Sequence, residues 1–237
     1  MVCVIKSLSI KLPNGLILLQ DISYTVEKND FIVLLGLFGS GKTTILTAIN
    51  GNLKYTGSIK ILGKVEIKKT KHRTISKYIG TITQNVGDSL FMGFSLMQNF
   101  EMYSEAFNHN EYDKFIELMR SINPKLPKLI NAKTSILSGG ERQCFLLALN
   151  LFFKRDLLLL DEHTSALDPK TAAEVMKITA QKLKETTSTC IMTTHSLDDA
   201  IQYGNKLIAM QNGRIIKTFN QSEKQHLTKM DLLNCCY

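Results

Sequence analysis

The sequence predicts an α/β fold with a mostly parallel sheet, an N-terminal antiparallel β region and an inserted α-helical subdomain. Two continuous apolar runs, "FIVLL" and "LLLL", are typical of strands that are buried on both faces of a parallel sheet. Segments with strand and helix periodicity alternate in the second half of the chain. A length of 237 residues with 44% hydrophobic content suits one domain with a substantial core. We therefore expect a single domain over residues 1–237.

Residues 1–84 are expected to contain the β region and the start of the α/β core. Residues 1–35 read as strands, with the polar turn "EKND" before "FIVLLG". The segment "KTTILTAIN" continues as a helix that ends at Gly51. Residues 57–83 read as short strands.

Residues 85–135 are richer in Met, Asn, Phe and Glu and are expected to form the helical subdomain. Helical stretches lie near 96–107 and 111–121, and Pro124 and Pro127 end the second. The α/β alternation resumes within residues 136–237. There we expect helices at 141–153, 169–185 and 197–203, strands at 156–160, 188–194 and 206–210, a hairpin turn at Asn212-Gly213 and a short helical tail.

The formal net charge of +8 is concentrated in one segment. Residues 54–77 hold eight Lys or Arg against one acid, whereas 17 bases meet 17 acids from residue 78 onward. Such a segment could meet nucleic acid or an anionic membrane surface. Because the only aromatic residues near it are Tyr55 and the flanking Tyr78, we favour a solvated face of lysines.

No apolar stretch approaches the roughly 20 residues that a spanning helix needs, and the N-terminus lacks the apolar region of a signal peptide. The five cysteines form no C-x-x-C pair, which indicates reduced thiols rather than a zinc site. We therefore expect a cytosolic protein that reaches a membrane only through a partner.

The stretch "GLFGSGKTT" fits the phosphate-loop pattern G-x-x-x-x-G-K-[ST], follows a buried strand and opens a helix. Backbone N–H groups of such a loop converge on phosphate oxygens, and the helix N-terminus adds partial positive charge. Lys42 would neutralise β- and γ-phosphate oxygens, and the Thr43 hydroxyl would bind Mg²⁺. The predicted phosphate site comprises Gly36, Leu37, Phe38, Gly39, Ser40, Gly41, Lys42, Thr43 and Thr44.

A second helix start, "LSGGE", separates the classes of phosphate-loop protein. Ser138 and Glu141 by themselves form a capping box. Gly139 and Gly140 go beyond capping, because they remove side chains from a helix N-terminus and open its N–H groups to an anion. A phosphate-facing edge without its own lysine fits a site that is completed on another copy.

These motifs, with Gln84 after a strand, "LLLLDEHTSALD" and His195 after "CIMTT", occur in one order along the chain. In that order the sequence resembles the nucleotide-binding subunit of an ATP-binding cassette (ABC) transporter over essentially its whole length, and it is most similar to bacterial importer ATPases. The resemblance implies a P-loop NTPase core and hydrolysis of ATP with Mg²⁺. It assigns the Walker A core to residues 1–84 and the signature, Walker B and H-loop core to 136–237.

The resemblance also implies the roles of individual residues. Asp161 and Gln84 would bind Mg²⁺ together with Thr43, and Gln84 would also sense the nucleotide. Glu162 would act as general base or polarise the attacking water, and His195 would contact the γ-phosphate. In a head-to-tail dimer, ATP would lie between the Walker loop of one copy and Ser138, Gly139 and Gly140 of the other, with Asp168 at the interface.

The partners follow from the same resemblance. They are a second ABC ATPase subunit, expected to be an identical copy, a membrane-spanning permease that docks on residues 85–135, and a substrate-binding protein. No nucleic acid is expected. The subunit would sit peripherally on the cytoplasmic face of the cell membrane and serve the import of a small solute such as an amino acid.

Three residues depart from the family pattern. His163 follows Glu162 where the family commonly has a non-ionisable residue; we interpret it as a structural residue that bonds to a neighbour. Leu12 stands where the family stacks adenine on an aromatic ring, which predicts weaker base selectivity. Phe38 occupies a loop position that often carries a small or polar residue.

Two other functions remain open from the sequence. A soluble ABC ATPase that acts on DNA or ribosomes has only the basic segment 54–77 in its favour, and neither long coiled coils nor a second cassette is present. A regulatory nucleotide binder without turnover is disfavoured by the presence of Glu162 and His195.

Overall fold

A computed structural model describes residues 1–107 and 111–236. These residues divide into two compact units. The first comprises residues 1–80, 156–161 and 188–236, and the second comprises residues 81–107, 111–155 and 162–187. Residues 108–110 of the predicted helical subdomain lie outside the described part of the chain.

The secondary structure of the described residues confirms the predicted fold class, a mixed α/β protein with an antiparallel N-terminal sheet and a mostly parallel second sheet. The strands are β1 (Cys3–Lys11), β2 (Ile17–Val26), β3 (Phe31–Leu35), β4 (Thr56–Ile61), β5 (Val65–Glu66), β6 (Ile79–Ile82), β7 (Leu157–Asp161), β8 (Cys190–Thr194), β9 (Lys206–Gln211) and β10 (Arg214–Phe219). The helices are α1 (Lys42–Ile49), α2 (His72–Ile75), α3 (Leu96–Phe107), α4 (Tyr112–Ile122), α5 (Gly139–Phe152), α6 (Pro169–Glu185), α7 (Leu197–Gln202), α8 (Gln221–Lys224) and α9 (Lys229–Cys236).

Two sheets build the first unit. Strands β2-β1-β4-β5 form an antiparallel sheet in that order, and β10-β9-β3-β8-β7-β6 form the second sheet. In the second sheet β9, β3, β8 and β7 run parallel, and β10 returns antiparallel to β9. The return is made at Asn212 and Gly213, whose φ values of 48° and 73° give the two left-handed residues of a tight hairpin.

The core of the first unit consists of apolar residues from both sheets and from α1. Ile5 and Ile22 come from the antiparallel sheet, Leu34 and Ile191 from the parallel one, and Ile49 from the helix. Each is at most 4% exposed. The buried parallel strands therefore lie in the interior, as their continuous apolar runs predict.

The second unit is organised around aromatic rings from α3, α4 and α5. Phe115 is fully buried, and its ring centroid lies 4.3 Å from that of Phe100, 5.3 Å from that of Phe152 and 6.0 Å from that of Phe145. Helix α5 also packs against α6 within this unit. These contacts explain why the unit extends beyond the predicted insertion at 85–135: α5 packs against α3 and α4, and α6 packs against α5.

Most predicted elements agree with the structure, including the helix that ends before Gly51, α6 and the helical tail. The prediction of strands throughout residues 57–83 is wrong for 67–75. There a 3₁₀ turn (Ile67–Lys69) precedes α2, and the N–H groups of Thr74 and Ile75 donate to the Lys71 carbonyl. The polar run between Ile67 and Ile75 lacks the alternating apolar residues that a strand needs, so local helical bonds satisfy its backbone instead.

We predict that Phe115→Ala lowers the free energy of unfolding by about 3–5 kcal/mol, because it leaves a cavity at the centre of the aromatic cluster. Urea unfolding followed by circular dichroism measures the loss. Phe91→Ala is the control, since Phe91 is 52% exposed and its truncation should cost about 1 kcal/mol or less. Equal losses for both variants would show that the ring cluster is not the core of the second unit.

Candidate nucleotide-binding site

The loop between β3 and α1 has a backbone that only glycine can form at two points. Gly39 and Gly41 have φ values of 78° and 102°. A β-carbon on Gly41 would lie 2.7 Å from Leu19 Cδ2, and one on Gly36 would lie 2.3 Å from the Met210 carbonyl oxygen. These glycines bend the loop tightly while it packs against β2 and β9.

The loop leads directly into the N-terminus of α1. Ile45 N–H donates to the Gly41 carbonyl at 3.0 Å, which makes this the first helical bond of α1. The backbone N–H groups of residues 42–44 precede it and so have no partner within the helix. Together with the helix dipole they form a cradle for an anionic phosphate, and the glycines leave room for its oxygens.

Lys42 is 5% exposed, and its ammonium lies against the loop itself. Its Nζ donates to the carbonyl oxygen of Gly36 at 2.7 Å and to that of Leu37 at 3.2 Å. The side chain is therefore folded over the loop with its positive charge at the loop's centre. That position suits neutralisation of a bound polyphosphate.

Asp161 ends β7 and accepts two hydroxyl hydrogen bonds on the same oxygen. Thr193 Oγ1 donates to Asp161 Oδ1 at 2.7 Å, and Thr43 Oγ1 donates to it at 3.0 Å. A hydroxyl from the phosphate loop and a strand-end carboxylate are hard oxygen donors of the kind that Mg²⁺ prefers. The donor set therefore fits a magnesium ion shared with phosphate oxygens.

No cluster of three His, Cys, Asp or Glu side chains suited to a metal occurs among the described residues. A Mg²⁺ ion bound through one carboxylate, a hydroxyl, phosphate oxygens and water does not need such a cluster. Of the three residues predicted to bind Mg²⁺, Thr43 and Asp161 are therefore the two that the first unit brings together.

The parallel register places these groups at one edge of the sheet. Leu35 pairs with Thr194 across β3 and β8, and Asp161 pairs with Thr193 across β7 and β8. The phosphate loop follows β3, Asp161 is the last residue of β7, and His195 follows β8. His195 is exposed, and the centroid of its ring lies 5.1 Å from that of Phe38.

Glu162 is the first residue after β7 and has a φ of 43°, in the left-handed region that costs a non-glycine residue on the order of 1 kcal/mol. Its carbonyl accepts from Ser165 N–H at 2.9 Å and from Ser165 Oγ at 2.8 Å, which closes a turn. Strain of this kind clusters at functional sites, where it orients a side chain.

In the second unit, the "LSGGE" segment starts α5 with a complete capping box. Glu141 N–H donates to Ser138 Oγ at 3.3 Å, and Ser138 N–H donates to Glu141 Oε2 at 2.8 Å. A β-carbon on Gly140 would lie 2.5 Å from Thr171 Cγ2, and one on Gly139 would lie 3.0 Å from Leu167 Cδ2. The two glycines therefore also allow close packing against the start of α6, a reason that the sequence did not reveal.

Two further predicted site residues belong to the second unit. Asp168 caps α6, because its Oδ1 accepts from Thr171 N–H at 3.1 Å, and Pro169 takes the first helical position. Hydrogen bonds from the Thr171 side chain and from its backbone N–H lower the pKa of the exposed Asp168 carboxyl. Gln84 is exposed beyond the end of β6.

Thr193 and Gln143 were not among the predicted site residues. Thr193 orients Asp161, and the only hint was a polar pair that ends the apolar run "CIMTT". Gln143 is 2% exposed and donates from Nε2 to the Thr83 carbonyl at 3.3 Å, which ties α5 to the segment that contains Gln84. A glutamine in an otherwise apolar helix face was the signal for that contact.

His163 is 3% exposed, and its Nε2 lies 3.4 Å from Thr179 Oγ1. The prediction that it bonds to a neighbour is confirmed. Burial lowers the pKa of His163 to about 4, so the fold holds its imidazole neutral.

The segment between β1 and β2 carries exposed aliphatic residues. Leu16 is 55% exposed and Ile17 is 48% exposed, while Leu12 is half-buried. The same strand, β2, places the Leu18 carbonyl 3.3 Å from a β-carbon built on Gly41. The start of β2 therefore passes next to Gly41 of the phosphate loop.

Comparison with known proteins gives one consistent result. Residues 19–165 match the family described as ABC transporter. The chain is 28% identical over 242 residues to a tyrosine transport ATP-binding protein of Clostridioides difficile, covering 97% of this chain and 96% of that protein. It is 32% identical over 203 residues to the energy-coupling factor transporter ATP-binding protein EcfA1 of Enterococcus faecalis, covering 83% of this chain and 70% of that one.

Solved structures show the same fold. The chain superposes with a TM-score of 0.81 and 26% identity on cbiO1 from Clostridium perfringens, described as part of the ABC transporter complex cbiONQ, over 94% of this chain and 89% of that one. At 21% identity, a dimeric post-hydrolysis state of the ATP-binding cassette MJ0796 with ADP and Pi gives a TM-score of 0.76 over 92% and 98% of the chains, a likeness of fold alone.

We predict that Leu12→Tyr tightens ATP binding about fivefold or more, because a ring stacks on adenine with about 1 kcal/mol or more that an aliphatic side chain does not supply. Titration calorimetry with ATP and with inorganic triphosphate separates the base from the phosphates. Leu12→Met is the control that keeps an aliphatic contact. An equal gain for inorganic triphosphate would place Leu12 away from the base.

We predict that His163→Ala keeps most of the ATPase activity. The same variant should change how the free energy of unfolding depends on pH. The folded-state pKa of about 4 lies below the ordinary value of 6.5, so folding disfavours protonation. The contribution of His163 to the free energy of unfolding is therefore complete above about pH 6.5. It falls as the pH is lowered towards 4, by at most about 3 kcal/mol.

Urea unfolding of both proteins between pH 7.5 and 4 checks the second effect. The stability difference between wild type and His163→Ala should shrink as the pH falls. Loss of turnover in a variant that remains folded would instead make His163 part of the chemistry.

Proposed function

This chain belongs to the ABC transporter family as an ATP-hydrolysing subunit, and we propose that it energises the import of a small solute as one half of a head-to-tail pair. The observation that carries the proposal is the edge where β3, β7 and β8 end. There the phosphate loop and Asp161 meet through the 3.0 Å contact between Thr43 Oγ1 and Asp161 Oδ1.

The chemistry assigns one task to each residue. Backbone N–H groups of the loop and Lys42 bind the β- and γ-phosphates. Thr43, Asp161 and Gln84 would hold Mg²⁺, which would neutralise charge on the phosphates. Thr193 fixes the Asp161 carboxylate for that role, as its 2.7 Å hydrogen bond indicates.

Hydrolysis needs a water molecule in line with the γ-phosphate and an acceptor for its proton. Glu162 supplies the carboxylate, and the strained backbone at φ 43° supports the view that its direction is set by the fold. His195, at the end of β8, contacts the γ-phosphate and steadies the water.

The dimer completes each site. The second unit has a capped helix start at Ser138 with two glycines and no lysine of its own in the motif. We assign Ser138, Gly139 and Gly140 to the γ-phosphate of ATP bound on a second, identical copy, and Asp168 to the interface between them.

The transport role rests on the relatives. They are ATP-binding proteins of transporters, and one is described as part of a complex. No described helix has the length and apolar character to cross a bilayer. We therefore place this subunit peripherally on the cytoplasmic face of the membrane, bound through residues 85–135 to a permease and served by a substrate-binding protein.

The relatives are described for different solutes, so the solute class that we propose is narrower than what they share. One relative is described for tyrosine transport, whereas others are described for methionine or phosphonate import. We favour a small solute such as an amino acid, because the tyrosine transport protein matches 97% of this chain.

An action on nucleic acid gains no support from the basic segment. Its eight lysines and arginines are all exposed, as a solvated face predicts. Tyr55 carries Lys68 over its ring, with Nζ 4.6 Å from the centroid, and Tyr78 is half-buried. Neither ring is therefore an open platform for a base.

We predict that Glu162→Gln lowers turnover about a hundredfold or more while ATP stays bound, because the amide cannot accept the proton. Steady-state phosphate release measures turnover, and radiolabelled ATP retained through size-exclusion chromatography measures trapping in a dimer. Glu174→Gln, an exposed glutamate on α6, is the matched control and should behave as wild type.

The trapped variant also tests the partner. Pull-down from detergent-solubilised membranes of the source cell should recover a multi-span permease with Glu162→Gln in the presence of ATP. Recovery of ribosomes or DNA without a membrane protein would replace transport by the alternative function.

A further inference from the structure

Lys224, the last residue of α8, is a buried lysine in the first unit. It is 6% exposed, and its Nζ donates to the Ile201 carbonyl oxygen of α7 at 2.7 Å. No other atom in residues 1–107 and 111–236 accepts from this ammonium, and no carboxylate there lies within ion-pair distance of it. Buried charges in proteins are normally paired, so the position of Lys224 calls for a partner from outside these residues.

The acidic side chains on the neighbouring elements are engaged elsewhere. Glu223 accepts from Asn220 N–H at 2.8 Å and so caps its own helix. On α7, Asp198 forms an ion pair with Lys229 at 2.6 Å, and Asp199 bonds to side chains at the start of that helix. The strands that pack against α8, β9 and β10, contain no acidic residue. The described chain therefore supplies no counter-charge to Lys224.

Capping of α7 explains the hydrogen bond of Lys224 but not its burial. A lysine can bond to the last carbonyls of a helix from the surface, with its charge still in water. Here burial instead lowers the pKa of Lys224 to about 8, because desolvation disfavours the charged form. The amine still carries its proton at neutral pH, and an anion beside it would stabilise that proton.

Lys224 and Ile201 line an open cleft of about 450 Å³. The other side chains that line it are polar: Gln202, Asn205, Gln221 and Gln225. Asn205 already uses its amide, which accepts from Phe31 N–H and donates to the Asn29 carbonyl. The three glutamines are exposed, and their amides have no hydrogen-bond partner in the described ranges. The cleft thus combines one buried cation with amides that can bind a ligand.

The cleft is not part of the proposed nucleotide site. Asn205 bonds to Phe31, the first residue of β3, at 2.9 Å, so this wall of the cleft lies at the amino end of that strand. The phosphate loop follows the carboxyl end of the same strand. A ligand in the cleft would therefore bind at the opposite edge of the second sheet.

The charge of the cleft selects the class of ligand. Lys224 is the only Lys or Arg among the described residues that line it. One ammonium matches one negative charge, and a carboxylate can accept from the ammonium on one oxygen and from an amide on the other. A phosphate dianion would leave a second negative charge without a cation.

We propose that this cleft is a binding site for a small organic carboxylate. The ligand's carboxylate pairs with the Lys224 ammonium, which keeps its bond to Ile201 and uses a second N–H for the ligand. The polar body of the ligand bonds to the amides of Gln202, Gln221 and Gln225. The site does not depend on the proposed function, because no residue of the nucleotide site takes part.

Nuclear magnetic resonance of the lysine ε-methylene groups tests the pairing directly. The Lys224 resonance is assigned with Lys224→Arg, and its pH titration is followed with and without N-acetylglycine, a small carboxylate that also carries an amide. Saturating N-acetylglycine should raise the pKa of Lys224 from about 8 to about 9 or higher. An unchanged pKa at saturation would overturn the proposal.

Affinity provides the second measurement. Lys224→Met should weaken N-acetylglycine binding about tenfold or more, through loss of a charge-assisted hydrogen bond. Lys64→Met is the matched control, because it removes the same charge from an exposed side chain and should bind like wild type. In wild type, affinity should fall about tenfold or more between pH 7 and pH 9.5, since the neutral amine does not pair with the ligand.

Gln221→Leu and Gln225→Leu keep the proposal testable if Lys224→Met does not fold. Both side chains are exposed, and each variant should weaken N-acetylglycine binding by about threefold or more through loss of an amide hydrogen bond. Acetate, which lacks the amide, should bind these variants like wild type. Binding of N-acetylglycine that neither variant weakens, or tighter binding of inorganic phosphate than of N-acetylglycine, would overturn the proposal.

Discussion

In the second sheet, β8 lies between β3 and β7, and all three strands run in the same direction. Because parallel strands end at the same edge, whatever follows each strand is brought to that edge without any further device. Here the phosphate loop follows β3 and His195 follows β8, whereas Asp161 is the last residue of β7. The site exists because the apolar runs are buried side by side in register, so the core that stabilises the first unit also aligns its chemistry.

The groups at this edge are held in place by features of two kinds. Some reduce the stability of the fold, and others tolerate few amino-acid substitutions. Gly36 and Gly41 are required because the loop approaches Met210 and Leu19 too closely for a side chain. Glu162 has a left-handed backbone, and Lys42 is buried against loop carbonyls. Each feature fixes the direction of a polar group before a nucleotide arrives, and the apolar interior of the unit offsets the free energy that this requires.

In the second unit the same residues provide packing and the proposed contact with a nucleotide. The glycines after Ser138 allow α5 to approach the start of α6, and they also leave the helix N-terminus free of side chains. His163 illustrates the opposite case. It lies next to the proposed base in the chain, yet its burial and its contact with Thr179 make it part of the packing of this unit.

The sequence by itself determined the order of strands and helices, the phosphate loop, Asp161 at a strand end and the caps at Ser138 and Asp168, because these depend on local periodicity and turn chemistry. It failed at residues 67–75, where a polar run gave no period to read. Only the tertiary structure decided that Thr193 holds Asp161, that Gln143 reaches Thr83 and that Phe38 packs on His195. Each of these contacts joins residues that are distant along the chain, and such pairings are set by strand register and helix packing, which no local pattern specifies.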